Sequence, residues 1–122
     1  VTAVAGLTFL HILRRDGLAE RAAELGDWLR GRLEEIASAH PAVVNVRGLG
    51  LMVGCELGPV GGLDAAGAAD EVLERMKDAG YLLGKTGPGR NVLTWMPPLI
   101  VTRQELEQAT GELEKVLASL RN

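Results

Sequence analysis

The sequence contains little cysteine and lacks any long apolar run. Cys55 is the only cysteine in 122 residues, so no disulfide can form within the chain, and a reducing compartment such as the cytoplasm is expected. No apolar run approaches the roughly 18 residues of a membrane span, and residues 1–9 lack the basic start of a signal peptide. With 13 basic and 16 acidic residues, the chain has no basic excess that would favour nucleic acid. We therefore expect neither a membrane nor a nucleic-acid partner.

Aromatic residues are also scarce, which limits the materials of the core. The chain has two tryptophans, one tyrosine and one phenylalanine. A chain of this length predicts one domain, here residues 1–122, that buries about 65% of its unfolded surface. The core must therefore be built from Leu, Val, Ile, Met and Ala.

An apolar helix is predicted at the start of the chain, over residues 1–15. Val4, Leu7 and Leu10 contribute to an apolar surface that covers most of its circumference, so both sides should be covered. The helix has no N-terminal start signal. We therefore expect the sequence to be part of a longer chain.

Two further helices follow from apolar residues spaced three and four apart. Asp16 is a candidate N-cap for the first of them, and His40-Pro41 ends it because the residue before proline avoids the helical region. Asp64 is a candidate N-cap for the other, which Gly80 closes. Their apolar positions are Leu18, Ala22, Leu25, Leu29, Leu33 and Ile36, followed by Ala65, Ala69, Val72, Leu73 and Met76.

The segment Asn91–Glu105 combines a strand, a rigid corner and the start of the last helix. Pro97 and Pro98 cannot donate to a strand ladder, so the strand must end there. Thr102 and Glu105 have the spacing of a capping box, in which each side chain satisfies the other's free backbone N–H. A terminal helix with a regular apolar stripe up to residue 120 is therefore predicted.

Short valine-rich and leucine-rich segments complete the pattern. The predicted order α-α-β-β-α-β-β-α favours an α+β fold, with a small, mostly antiparallel sheet of three to four strands and helices packed on one face. A glycine turn at 48–50 separates the first two strands, and a glycine-rich loop at 84–90 separates the last two. The predicted strands are 42–47, 51–57, 81–83 and 92–95.

No catalytic or metal-binding constellation follows from the spacing of these residues. Gly48–Gly54 leads into a strand rather than a helix, so it predicts a turn and not a dinucleotide loop. Lys85 could meet an anion beside the glycine-rich backbone. His11 is expected to be a packed polar residue and His40 a helix-end cation, without a metal. Cys55 is expected to be a buried, inert thiol.

Four segments resemble, in order, the landmarks of one family. Asp16–Gly26 resembles the helix after the family's domain junction, and Val46–Leu57 its arginine-glycine-x-glycine-leucine-methionine signature. Ala79–Gly84 resembles the entry to the next strand, and Asn91–Thr102 the closing strand with its Pro-Pro-Leu corner. Over essentially its whole length the chain is similar to the C-terminal small domain of class III aminotransferases, pyridoxal-phosphate enzymes of fold type I.

The resemblance implies an enzyme that moves an amino group between an amine or amino acid and a keto acid. Pyridoxal phosphate would be bound by a large domain upstream, which carries the family's cofactor-bearing lysine and the acid that pairs with the pyridine nitrogen. No catalytic or cofactor-binding residue is expected in this chain, which alone should be inactive. The 1–15 helix would lie at the junction with the large domain, and the complete enzyme would be a homodimer.

Two residues are candidates for the substrate side of the cleft. Several family members have an arginine three residues before the first proline of the corner, where it can hold a carboxylate. This chain has Thr94 there, which puts carboxylate recognition at this point in doubt. Arg47 matches the arginine of the glycine turn. We interpret it first as a structural donor to carbonyls near the turn and second as a substrate contact.

Two alternatives remain open from the sequence. The same cofactor and scaffold also support racemases, decarboxylases and lyases. A free-standing α+β binding or dimerisation module without a cofactor would equally explain an exposed apolar first helix.

Overall fold

The structure, a computed structural model, describes residues 2–120. Val1, part of the helix predicted over 1–15, and the last two residues of the predicted domain lie outside this range. The described chain follows the predicted α-α-β-β-α-β-β-α order, which is confirmed. The elements are α1 Thr2–Arg15, α2 Leu18–Ala39, β1 Val43–Leu49, β2 Met52–Leu57, α3 Ala65–Asp78, β3 Gly84–Thr86, β4 Val92–Trp95 and α4 Arg103–Leu120.

The four strands form one antiparallel sheet in the order β1-β2-β4-β3. Side chains alternate between the two faces of a strand. Val53, Cys55 and Leu93 are fully buried in the core shared with α2, α3 and α4, whereas Gly54 and Thr94 are half-buried on the opposite face. The predicted α+β arrangement, with helices on one face of the sheet, is confirmed.

The core is aliphatic, as the scarcity of aromatic residues requires. The predicted helical stripes supply most of it, and Trp95 is the aromatic residue buried most deeply among the described residues. The largest fully buried side chains include Leu29, Leu33, Ile36, Leu57, Met76, Leu93, Leu113 and Leu117.

Helix α2 lies in direct backbone contact with the turn between β1 and β2. A side chain on Gly26 would overlap the carbonyl oxygen of Gly50. Gly50 has a φ of 56°, which suits the first position of a two-residue hairpin turn. The two glycines therefore set how closely α2 can approach the hairpin.

Two predicted strand boundaries are wrong. Gly48 and Leu49 belong to β1, so the interruption is confined to Gly50-Leu51. Residues 81–83 are not a strand, and the third strand is Gly84–Thr86, inside the predicted loop. Glycine and lysine favour strands weakly, but pairing with β4 imposes the extended conformation.

The N-cap predicted at Asp16 is also wrong. Gly17 occupies the cap position of α2 with a φ of 59° and no side-chain hydrogen bond. Asp16 instead accepts a 2.9 Å hydrogen bond from Arg15 Nε. The left-handed backbone conformation between the two helices suits glycine, which has no Cβ. Since glycine has no side chain either, no side chain caps the N-terminus of α2 at this position.

The other predicted caps are confirmed. Asp64 accepts a 2.8 Å hydrogen bond from the backbone N–H of Gly67. At α4, Thr102 Oγ1 accepts from the N–H of Glu105 (3.1 Å), and Glu105 Oε1 accepts from the N–H of Thr102 (2.9 Å). The capping box thus fixes where α4 leaves the proline corner.

Helix α1 is not buried by the part of the chain that the structure describes, contrary to the expectation for an apolar helix. None of its residues is buried; Val4, Leu7 and Leu10 are 68%, 67% and 62% exposed. His11 is exposed as well, which corrects its prediction as a packed residue. None of the described helices is both long enough and apolar enough to cross a membrane.

A polar cluster joins the C-terminal half of α2 to α4. Glu114 Oε1 accepts a 3.1 Å hydrogen bond from Arg32, and its other oxygen lies 3.5 Å from His40 Nε2. His40 is at the C-cap of α2, the helix end predicted from the proline, and its side chain is buried. These polar contacts link α2 to α4 in addition to the apolar packing between the two helices.

Replacing Gly26 by alanine is expected to destabilise the fold by at least about 2 kcal/mol, because the added methyl overlaps backbone atoms that cannot move independently. The control is Gly31→Ala on the same helix, where nothing lies within 4 Å of the added atom. This change is expected to stabilise by about 0.5–1 kcal/mol through helix propensity. Urea unfolding monitored by circular dichroism measures both, and equal effects would contradict the proposed close contact.

The contribution of the Glu114 charge to the stability of the fold is expected to decrease at acidic pH. The hydrogen bond from Arg32 is the largest cause that lowers the pKa of Glu114 below the ordinary value of 4.5. The contribution is therefore fully present above that value and is lost as pH falls through the lower, folded-state pKa. Since the side chain is 39% exposed, Glu114→Gln should cost less than about 1 kcal/mol at pH 7.

Urea midpoints of the wild type and Glu114→Gln, compared at pH 7 and pH 3, test this dependence. The difference is expected to be smaller at pH 3 than at pH 7, because protonation of Glu114 removes the charge that glutamine lacks. A difference of the same size at both pH values would mean that side-chain shape rather than charge is responsible.

Candidate functional site

The two residues predicted for the substrate side lie in one row across the open face of the sheet. Arg47 pairs with Gly54, Gly54 with Thr94, and Thr94 with Gly84. Since adjacent strands are about 4.8 Å apart, Arg47 and Thr94 are separated by roughly 10 Å. The strand register thus brings together two residues that are distant in the sequence.

Glycines keep the surface around Thr94 clear. Gly54 and Gly84 flank Thr94 on the neighbouring strands, and a Cβ on Gly84 would lie 3.5 Å from Thr94 Cβ. A Cβ on Gly54 would lie 4.0 Å from Arg47 Cγ and 3.1 Å from Val92 Cγ1. The surface along this row is therefore shallow. The aliphatic part of Arg47 lies at one end, and the Thr94 side chain lies between two glycines, Gly54 and Gly84.

Arg47 pairs with a carboxylate rather than with the carbonyls predicted near the glycine turn. Its Nη1 donates to Glu56 Oε1 at 3.2 Å. Glu56 is on the neighbouring strand, two residues from the partner of Arg47 in the register. This diagonal pairing is a common way for long side chains to meet across antiparallel strands, and it balances the charge of the arginine.

Thr94 has a hydroxyl partner that the sequence did not indicate. Thr86 Oγ1 and Thr94 Oγ1 are 3.1 Å apart, and either can be the donor. Thr86 was missed because residues 84–90 were predicted as a loop. The alternation Gly84-x-Thr86 beside a strand-forming threonine was the available signal.

Lys85 lies between Gly84 and Thr86 on β3, but its side chain pairs on the helix-covered face of the sheet. Its amino group donates to Asp70 of α3, and this hydrogen bond is the main reason that the pKa of Asp70 is lowered. Lys85 therefore anchors β3 to α3, and the suggested role in anion binding is not supported by its contacts.

Cys55 is buried within the core, as predicted. Burial raises the pKa of its thiol to about 12. Since the thiolate is the reactive form, this side chain is chemically inert in the folded domain.

The described residues do not fit pyridoxal phosphate by themselves. Each of the three lysines is paired with an acid of the chain: Lys77 with Glu74, Lys85 with Asp70, and Lys115 with Glu112. Within residues 2–120 no group of His, Cys, Asp or Glu side chains could hold a metal ion. What the candidate site offers is an open surface of hydroxyls, a paired arginine and open backbone.

The comparison with known families matches this arrangement. The family described as aminotransferase class-III matches residues 1–117. The chain belongs to the class III aminotransferase family. The resemblance seen in the glycine-turn signature and the Pro-Pro-Leu corner is thereby confirmed.

Relatives and solved structures show how much of a class III protein the chain represents. The acetylornithine aminotransferase of Caldanaerobacter subterraneus is 36% identical over 117 residues, which cover 96% of this chain and 28% of the relative. The alanine/serine racemase of Pyrococcus horikoshii is 30% identical, with 96% of this chain and 25% of the relative covered. The chain therefore spans about a quarter of the length of these relatives.

A solved structure with the same fold comes from an enzyme with a different name. The phospholyase from Arthrobacter, in complex with phosphoethanolamine, superposes with a TM-score of 0.88 at 36% identity, covering 95% of this chain and 28% of that one. The fold of this chain is thus shared by proteins whose names denote more than one type of reaction.

Breaking the Arg47–Glu56 pair is expected to leave the fold intact. The two side chains are 51% and 33% exposed, so Arg47→Met or Glu56→Gln should each cost less than about 1 kcal/mol. The control is Val53→Ala, a core position on β2, the strand of Glu56; this change should cost about 2 kcal/mol or more. Thermal unfolding separates these cases; a large loss with Arg47→Met would make this arginine structural.

Proposed function

We propose that the chain is the C-terminal small domain of a pyridoxal-phosphate-dependent aminotransferase, residues 1–122, in a longer polypeptide. The enzyme would transfer an amino group between an amine or amino acid and a keto acid. The observation that carries the proposal is family membership over residues 1–117 combined with an uncovered sheet face that holds both candidate substrate-side residues. A domain that covers a quarter of its relatives leaves the remaining three quarters to supply the cofactor site.

Exposed apolar surface supports a missing partner of the same polypeptide. Leu49, Met52 and Met96 lie on or beside the open face and are 86%, 61% and 61% exposed. Together with the uncovered apolar surface of α1, this area exceeds what isolated exposed side chains would explain. We assign the open face to the cleft with the large domain, and α1 to the junction between the domains.

In this arrangement the chain forms one wall of the substrate site. Thr94 offers a neutral hydroxyl at the position where several family members have an arginine, and Arg47 contributes a positive charge that Glu56 already balances. A bidentate carboxylate contact requires a free guanidinium. The wall therefore favours amines or substrates whose carboxylate is held from the other domain.

The second contribution of this domain is closure. A wall that moves onto the substrate excludes water and holds the reacting groups in place. When bound, pyridoxal phosphate supplies the electron sink for the reaction; the residues of this chain orient the substrate and keep solvent out. We also propose that the enzyme is cytoplasmic, which is supported by the single, buried Cys55. The family resemblance supports a homodimer.

A racemase or a lyase is the second candidate. It is favoured specifically by the relative from Pyrococcus horikoshii and by the structural match to the phospholyase, which cover 96% and 95% of this chain. Since the scaffold is common to these reactions, the contacts of the small domain do not distinguish them.

The test uses the complete natural polypeptide that contains this chain. Incubation with an amine donor, pyruvate and pyridoxal phosphate is expected to produce alanine, measured by chromatography, whereas the 122-residue chain alone should produce none. Inversion of an amino acid's configuration without alanine, or release of phosphate from phosphoethanolamine, would favour the second candidate. A natural polypeptide limited to these 122 residues would exclude the proposal and favour a binding module.

A further inference from the structure

The hydroxyls of Thr86 and Thr94 form a pair on the open face of the sheet. Their oxygens are 3.1 Å apart, with Thr86 exposed and Thr94 half-buried. Gly84 lies opposite Thr94 on β3 and Gly54 lies opposite it on β2. Neither neighbour of Thr94 in its row carries a side chain, and Thr86, which pairs with Val92 of β4, is itself exposed, so a substrate that enters the cleft can reach the pair.

The hydrogen-bonding capacity of this pair is unequal. Each hydroxyl has one proton and two lone pairs. One proton and one lone pair are used between the two residues, which leaves one donor and three acceptor positions for a ligand. The pair therefore accepts hydrogen bonds more readily than it donates them.

Two cations close to the pair, Lys85 and Arg47, are each matched by an acid. A third, Arg90 in the loop between β3 and β4, acts on Asp70. Lys85, between Gly84 and Thr86 in the sequence, is held by Asp70 of α3 on the other face. Arg47, on the same row as Thr94, is held by Glu56. Both ion pairs are internally balanced, so neither gives the threonine pair a net positive field for an anion.

We propose that Thr86 is a specificity-determining residue, which together with Thr94 receives the hydrogen-bond-donating, non-anionic end of the substrate. This inference rests on the proposed function. The ligand chemistry is a hydroxyl, an amide N–H or an ammonium group at the end away from the reacting amine. A carboxylate there has no proton to donate and meets a surface with a single free donor.

Domain closure makes the choice between such ligands stronger. Once water is excluded, each acceptor position left without a partner loses its hydrogen bond to solvent. An apolar substrate of the same size therefore binds less well than one that ends in a hydroxyl, because a site built for hydrogen bonds rejects an analogue that lacks the partner.

The experiment compares two amines of matched size in the complete enzyme. The first is 4-aminobutan-1-ol and the second is pentan-1-amine, in which a methyl replaces the hydroxyl. The ratio of their kcat/KM values, with pyruvate as acceptor, is expected to favour the alcohol in the wild type. Thr86→Val should reduce that ratio about three- to tenfold, the worth of one neutral hydrogen bond.

Two further variants distinguish recognition from structure. Thr86→Ser keeps the hydroxyl and should retain the wild-type ratio. Thr94→Val should reduce the ratio, and adding Thr86→Val should reduce it little further, because the two side chains act as one unit. Thermal unfolding of each variant provides the check that these nearly isosteric substitutions leave the fold unchanged.

The outcomes separate this inference from the proposed function. If the wild type makes alanine from amines but Thr86→Val changes both probe amines equally, or neither, the inference is overturned while the aminotransferase assignment stands. Stronger use of 4-aminobutanoate than of the alcohol by the wild type would also overturn it. If the wild type makes no alanine from any amine, the aminotransferase assignment fails, and the inference fails with it.

Discussion

The close approach of α2 to the hairpin turn is the constraint on which the other features of the sheet depend. A strand that slips by one residue turns every side chain to the opposite face. Because Gly26 lies against the backbone of Gly50, the β1–β2 hairpin has a fixed position relative to the helices. This position keeps Val53 and Cys55 in the core and leaves Arg47 and Gly54 on the open face.

Charges around the sheet are paired before any partner arrives. Arg47 is matched by Glu56, Lys85 by Asp70, and Arg32 by Glu114. Beside the Arg47–Glu56 pair, the open face of the sheet presents apolar side chains, open backbone and hydroxyl groups, such as Leu49, Gly54 and Thr94. Discrimination on such a surface depends on shape and on the number of hydrogen bonds satisfied, whereas net charge contributes less. The domain thus suits a role in selecting and enclosing a ligand rather than in activating it.

Elements with a strong local signal could be predicted from the sequence. The helical stripes of α2 and α4, the capping box at Thr102 and the stop at Pro97 are local, and each agrees with the structure. Strand β3 was missed because its conformation comes from pairing with β4 rather than from its own residues. Thr86 was missed for the same reason, whereas Thr94 and Arg47 were found through the family resemblance, and only the register shows that they share a row.

Because the Cys55 thiol is buried, its reaction with a reagent can report transient opening of the core around β2. Alkylating reagents need a thiolate, and this one is withheld both by its buried position and by its raised pKa. Modification then has to wait for a transient separation of β2 from the helices, so the labelling rate measures how often that event occurs. The rate at which Cys55 is alkylated therefore reports the local stability of the centre of the sheet.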